Sequence, residues 1–130
     1  MKIVSDKELA AVLALPGPDR YGYFVRSVAD WEEIWTLRTS DGFVLLATTE
    51  ERPLVPVWPH RRFADACAET EWAGAEATSI TLEKWLQAWT PGMTNDNRDV
   101  AVFPVPSGQG VVVTPDRLKE DLLAERSQYE

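Results

Sequence analysis

Apolar positions along this chain recur with two periods, and the switches between them outline its elements. Ser5 or Asp6 stands where a helix N-cap is wanted, and Leu9, Val12 and Leu13 then fall on one stripe. That spacing predicts a first helix to about Leu15, stopped by Pro16. A second helix is predicted from about Asp19, where Tyr21, Phe24, Val25 and Val28 sit at i, i+3, i+4 and i+7 around a tolerated Gly22. The run EIWTLRTSDGFVLLAT then reads as a hairpin about Ser40-Asp41-Gly42, because Asp-Gly favours the tight turns that join antiparallel strands. Its second half, Phe43–Ala47, is almost continuously apolar and is expected as a central strand.

PLVPVWP is a further extended segment whose prolines leave ladder hydrogen bonds unmade, which places it at an edge. A third helix is expected from about Pro59 to Thr70, with proline in the first turn, where its missing N–H would be unpaired anyway. ATSI predicts a short strand. TLEKWLQAW predicts a helix capped by Thr81, with Leu82, Trp85, Leu86 and Trp89 on one face, and PGMTNDN is expected to end it. VAVFPVPSGQGVVVT reads as a second hairpin, and Thr114-Pro115 opens a last helix that buries Leu118 and Leu122. Helices and strands in this mixed order give an α+β class. The sheet is expected to be mainly antiparallel, built from two hairpins plus a short extra strand and covered by about five helices.

The chain of 130 residues suits a single compact domain spanning 1–130, large enough to fold without metals or disulfides. One cysteine makes no internal disulfide, which fits a reducing compartment. LAAVLAL imitates a signal-peptide core, but Asp6 and Glu8 stand where a cationic region belongs and Pro16-Gly17-Pro18 replaces a small-residue cleavage site. The block is also too short to cross a bilayer, so the expectation is a cytoplasmic protein without membrane contact. A net charge of −8 and the lack of any basic run longer than His60-Arg61-Arg62 argue against nucleic acid. The same acidity would steer a basic partner towards the surface.

No catalytic set emerges. His60 and Cys67 lie seven residues apart on one predicted helix, about 10 Å along its axis, too far for a nucleophile–base pair. Cys67 shares its face with Phe63 and reads as a small core residue. NDNRDV begins like a calcium loop, but Val100 and Pro106 occupy the positions that need glycine and glutamate. SGQG lacks the lysine of a phosphate loop. Glu32 and Glu33, adjacent on a strand, point to opposite faces and do not converge. No metal or other cofactor is implied.

The least ordinary feature is the basic start of the third helix. Cations there oppose the helix dipole, and free N–H groups beside two arginines would suit a carboxylate or phosphate. The candidate binding residues are therefore Trp58, His60, Arg61 and Arg62. Six tryptophans are many for this length. Most are expected in the core, with one or two available as interface anchors. Two functions fit: a non-enzymatic module that binds a protein partner through an aromatic surface, or a small-anion or enzymatic site at Trp58-Pro59-His60-Arg61-Arg62.

YFVRSVADWEEIW, PVWPHRRFADACAETEWAG, SITLEKWLQAWTPGM, VAVFPVPSGQGVVVTPDRLKEDLLAE and the closing SQYE together resemble a bacterial family, domain of unknown function 2750. Thr90 stands where that family typically has leucine before the proline. The resemblance implies a small, cytosolic, stand-alone protein. It carries over no catalytic residue or cofactor, and its Trp-Pro-His motif falls on Trp58, Pro59 and His60.

Overall fold

The computed structural model describes residues 3–46, 53–68, 72, 74–106 and 108–129. Helix α1 (Asp6–Leu13) starts where the Ser5 hydroxyl accepts the Glu8 N–H at 3.1 Å, and α2 (Gly17–Trp31) follows with Pro18 in its first turn. Phe24, Val25 and Val28 of α2 are buried, as the helical spacing requires. Glu32 ends α2 in the left-handed region at φ 58°, donating its N–H to Val28 O. The chain therefore turns straight into β1 (Glu33–Thr39).

The strands form two three-stranded sheets. In the first, β1 is central between β2 (Gly42–Phe43) and β4 (Glu76–Thr81), both antiparallel to it. In the second, β5 (Asp99–Val102) lies between β3 (Leu54–Val57), its parallel neighbour, and β6 (Val111–Val113), its antiparallel one. Both expected hairpins are present.

The run after Gly42 is not a central strand. Only Gly42–Phe43 pairs with β1 in a ladder, at the edge, after which Val44 N–H reaches Leu37 O and Leu46 bridges to Leu54. Ala47 lies outside the described residues. The reason is competition for one edge of β1. Beyond Leu37 that edge is taken by Trp58, which exchanges two backbone hydrogen bonds with Trp35 at 2.8 and 2.9 Å.

The same seam explains why there are two sheets. Val55 and Val57 turn their backbone groups towards β5, so Leu54, Pro56 and Trp58 turn theirs towards the first sheet. Leu54 and Trp58 each make a reciprocal pair there. Pro56, between them, has no N–H to give, and its carbonyl accepts the Thr36 hydroxyl at 2.8 Å instead. Proline thus sits at an edge, as expected, and that edge is the joint.

Helix α3 (Arg61–Ala68) follows β3. After β4, three segments run as one rod: α4 (Leu82–Lys84), a π-helical turn (Trp85–Trp89) and α5 (Thr90–Asn95). The expectation that PGMTNDN breaks this helix is corrected. The π turn sends Thr90 N–H back to Trp85 O and restarts the helix, so Pro91 falls in a first turn where no N–H is needed. The rod ends instead at Asn97, at φ 58°, with Arg98 N–H closing onto Met93 O. Helix α6 (Pro115–Arg126), capped by the Thr114 hydroxyl, buries Leu118 and Leu122 completely.

Buried side chains from both sheets and from α2, α3, α4, the π turn and α6 form one contiguous cluster. One cation is buried beside it. Arg20 donates Nε to Phe103 O, Nη1 to Leu15 O and Nη2 to Gln109 O, tying three segments without a carboxylate. Phe103 is held at φ 61°, and Gly110 passes so close that a Cβ would lie 2.6 Å from Val102 O. Replacing Arg20 with methionine leaves three carbonyls without their donor. It should cost about 3 kcal/mol or more, read as a lower urea midpoint.

Two tyrosines tie α2 to its neighbours: Tyr21 OH donates to Asp121 of α6, and Tyr23 OH donates to Glu8 of α1 at 2.6 Å. Burial, reinforced by these carboxylates, pushes both phenols well above their ordinary value of 10.0. The folded state then holds both protons where the unfolded chain releases them. Their contribution to stability is full below about pH 10 and declines as pH rises above it. Urea titrations from pH 8 to 11 should show this fall, made shallower by the double change Tyr21→Phe, Tyr23→Phe.

Candidate functional site

A cleft of about 670 Å³ opens where the end of α2, the start of β1, the β3–α3 junction and β4 meet, lined by Asp30, Trp31, Glu33, Trp35, Pro59, His60, Arg61 and Ser79. The left-handed Glu32 creates it. By reversing the chain after α2, it sets Trp31 and Glu33 on the same opening, while its own carboxylate points away to Arg126 at 3.4 Å. Trp35 and Ser79 are cross-strand partners, so they share the face of the first sheet that floors the cleft.

His60, not Pro59, begins α3. Its carbonyl accepts the Ala64 N–H at 3.4 Å and its Nδ1 accepts the Arg62 N–H at 3.2 Å, the two features of an N-cap. Nδ1 as acceptor makes the neutral ring the Nε2–H tautomer. The ring also packs edge-on to Trp31, with centroids 6.1 Å apart. Phe63 N–H bonds back to His60 O as well. The open donors expected at this helix start are thus largely occupied within the chain.

The four residues singled out from the sequence part company. His60 and Arg61 line the cleft, with Arg61 Nε 3.6 Å from Asp65 one turn on, both well exposed. Arg62 leaves it: Nη1 donates to Val4 O at 2.7 Å and Nη2 pairs with Asp6 at 2.6 Å, fastening the start of the chain to α3. Trp58 is fully buried, its indole N–H donating to Pro104 O at 2.8 Å, and it presents no surface. Cys67 is also in the core, with Sγ donating to that same carbonyl at 3.3 Å.

Asp30, Trp31, Glu33, Trp35 and Ser79 complete the site. The signal available for the first four was DWEEIW, two tryptophans spaced across an acidic helix-to-strand junction, and Ser79 carried none. What hid their convergence was the single left-handed residue between them. Asp30 and Glu33 have no ion-pair partner among the described residues. The lining therefore offers two indoles, two carboxylates without an ion-pair partner among the described residues, one guanidinium with its own carboxylate and an imidazole whose Nδ1 is engaged.

Among the described residues no group of three or more His, Cys, Asp or Glu side chains is placed to hold a metal, and no helix is long and apolar enough to cross a membrane. None of the curated proteins compared matches the chain. A family model does match, over residues 21–122, and carries the description "Protein of unknown function (DUF2750)". That span covers both sheets and the whole cleft, and the chain belongs to this family.

Proposed function

We propose that the protein is a non-enzymatic binding module of the cytoplasm whose cleft receives a cationic side chain, arginine or lysine, of a basic protein partner. The observation that carries this reading is the lining itself: Asp30 and Glu33 without ion-pair partners beside Trp31 and Trp35. Indole faces attract cations through their quadrupole, by about 0.5–1 kcal/mol at an exposed site. Carboxylates within reach add a comparable amount. The net charge of −8 brings such a partner in from a distance.

An anion is disfavoured at the same place. Nδ1 of His60 and its carbonyl already take N–H groups of the first turn of α3, and Arg61 has Asp65 beside it. The end of α2 also faces the opening, with no basic residue in its last turn. Its terminal carbonyls favour a cation there.

Acetyl-arginine methylamide should shift the indole N–H resonances of Trp31 and Trp35 in an NMR titration, whereas the uncharged citrulline analogue should not. The double change Asp30→Asn, Glu33→Gln should weaken binding by about fivefold to tenfold. Perturbation of the same resonances by acetyl-glutamate methylamide or phosphate, with none by the arginine compound, would sink the reading.

A further inference from the structure

Beside the cleft runs an unpaired strand edge. β4 ends the first sheet, pairing with β1 on one side only. Which of its backbone groups face outward follows from β1. Trp35 spends its N–H and C=O on Trp58, on the side away from β4, so Ile34 and Thr36 are the residues that bond to Ile80 and Thr78. The N–H and C=O groups of Ala77 and Ser79 therefore point out of the sheet. Among the described residues nothing bonds to them.

Three of the usual protections of a sheet edge are missing here, and its one charge, Glu76, lies at the end of the strand away from Ser79. Over Glu76–Thr81 it has no proline and no lysine, and its register with β1 is unbroken by a bulge. Ser79 is exposed and lines the cleft, so one residue belongs to both features. A strand added at this edge would place the side chain opposite Ser79 on the face that Ser79 shares with Trp35.

We infer that the basic partner is bound as an extended segment that adds a strand to β4 through Ala77 and Ser79, with one arginine or lysine side chain entering the cleft beside Trp35. This rests on the cation reading of the cleft and adds to it the backbone that delivers the cation. Strand addition supplies affinity through the main chain, while a pocket for alternate side chains supplies selectivity. A second copy of this chain is the other strand donor to consider. Pairing two β4 edges would bring together the acidic linings around Asp30 and Glu33, in chains of net charge −8. Charge thus favours a basic segment over self-association.

The test compares three probes on the whole protein: acetyl-arginine methylamide, a capped pentapeptide Thr-Val-Arg-Val-Thr, and that peptide N-methylated at all five residues, which removes its donors to β4 in either strand direction. Free protein should exchange the Ala77 and Ser79 amides quickly while Thr78 and Ile80 are protected. The pentapeptide should bind at least tenfold tighter than the arginine compound and should protect Ala77 and Ser79. N-methylation should weaken it by about tenfold, the loss of roughly two backbone hydrogen bonds. Ala77→Pro, which removes an outward N–H at a residue outside the cleft lining, should do the same while leaving affinity for the arginine compound unchanged.

If the arginine compound binds and the pentapeptide is no tighter or equally tolerant of N-methylation, strand addition is wrong and the cleft reading stands. If neither binds, both fall. If Ala77 and Ser79 are already protected in a dimer, the edge belongs to a second copy and the inference is overturned.

Discussion

Two backbone hydrogen bonds between Trp35 and Trp58 hold the molecule's architecture together. They are the point at which two sheets with separate ladders become one folded unit, and the cleft is a consequence of that joint. Trp35 floors the cleft from the first sheet, and the residues immediately after Trp58, Pro59 and His60, form its opposite wall. Pro56 sets how far the joint extends. With proline there, the seam closes at its two ends and is filled in the middle by the Thr36 hydroxyl.

The far side of the second sheet is secured by a different device, a set of donors converging on the carbonyls of one loop. Pro104 O takes both the Trp58 indole N–H and the Cys67 thiol, and its neighbour Phe103 O takes Arg20. The left-handed Phe103 aims these carbonyls inward, and the close pass of Gly110 lets the loop fold over them. The arrangement explains why Trp58 and Cys67, both conspicuous in the sequence, have no part in the surface. Each is a polar-tipped core residue whose donor is satisfied by the backbone. Arg62 is drawn in similarly, to Val4 O and Asp6.

Much of the fold was legible in the sequence because it depends on local periodicity. The stripes at Tyr21–Val28 and Leu82–Trp89, the turn at Asp41-Gly42 and the cap at Thr114 each act within a few residues. The errors arose where a distant group competed. Phe43–Ala47 has the composition of a central strand, but the edge it would have used belongs to Trp58. Pro91 has the look of a helix breaker, but a π turn upstream moved it to a position that tolerates it. The site was half legible. His60 and Arg61 stood out as a basic helix start, whereas Asp30 carried no signal and Glu33 belonged to an adjacent pair that does not converge. Only the positive φ of Glu32 brings those carboxylates and the two indoles to one opening, and a glutamate carries no local signal for that conformation.

The cleft's preference for charge turns on which of two helix ends prevails. The N-terminus of α3 presents partial positive charge and the C-terminus of α2 partial negative charge, each worth about 0.3–1 kcal/mol to a suitably placed ion. Taken alone they nearly cancel. The N-terminal field of α3 is blunted, however, because His60 occupies donors that an anion would need and Arg61 has Asp65 beside it. The C-terminal field of α2 has no such opposition: its last turn holds no base, and Asp30 and Glu33 flank it with the same sign. Terminal carbonyls, carboxylates and indole faces then all favour a positive ligand. On the proposed reading, that agreement, more than the strength of any one contact, is what selects a basic partner over an acidic one.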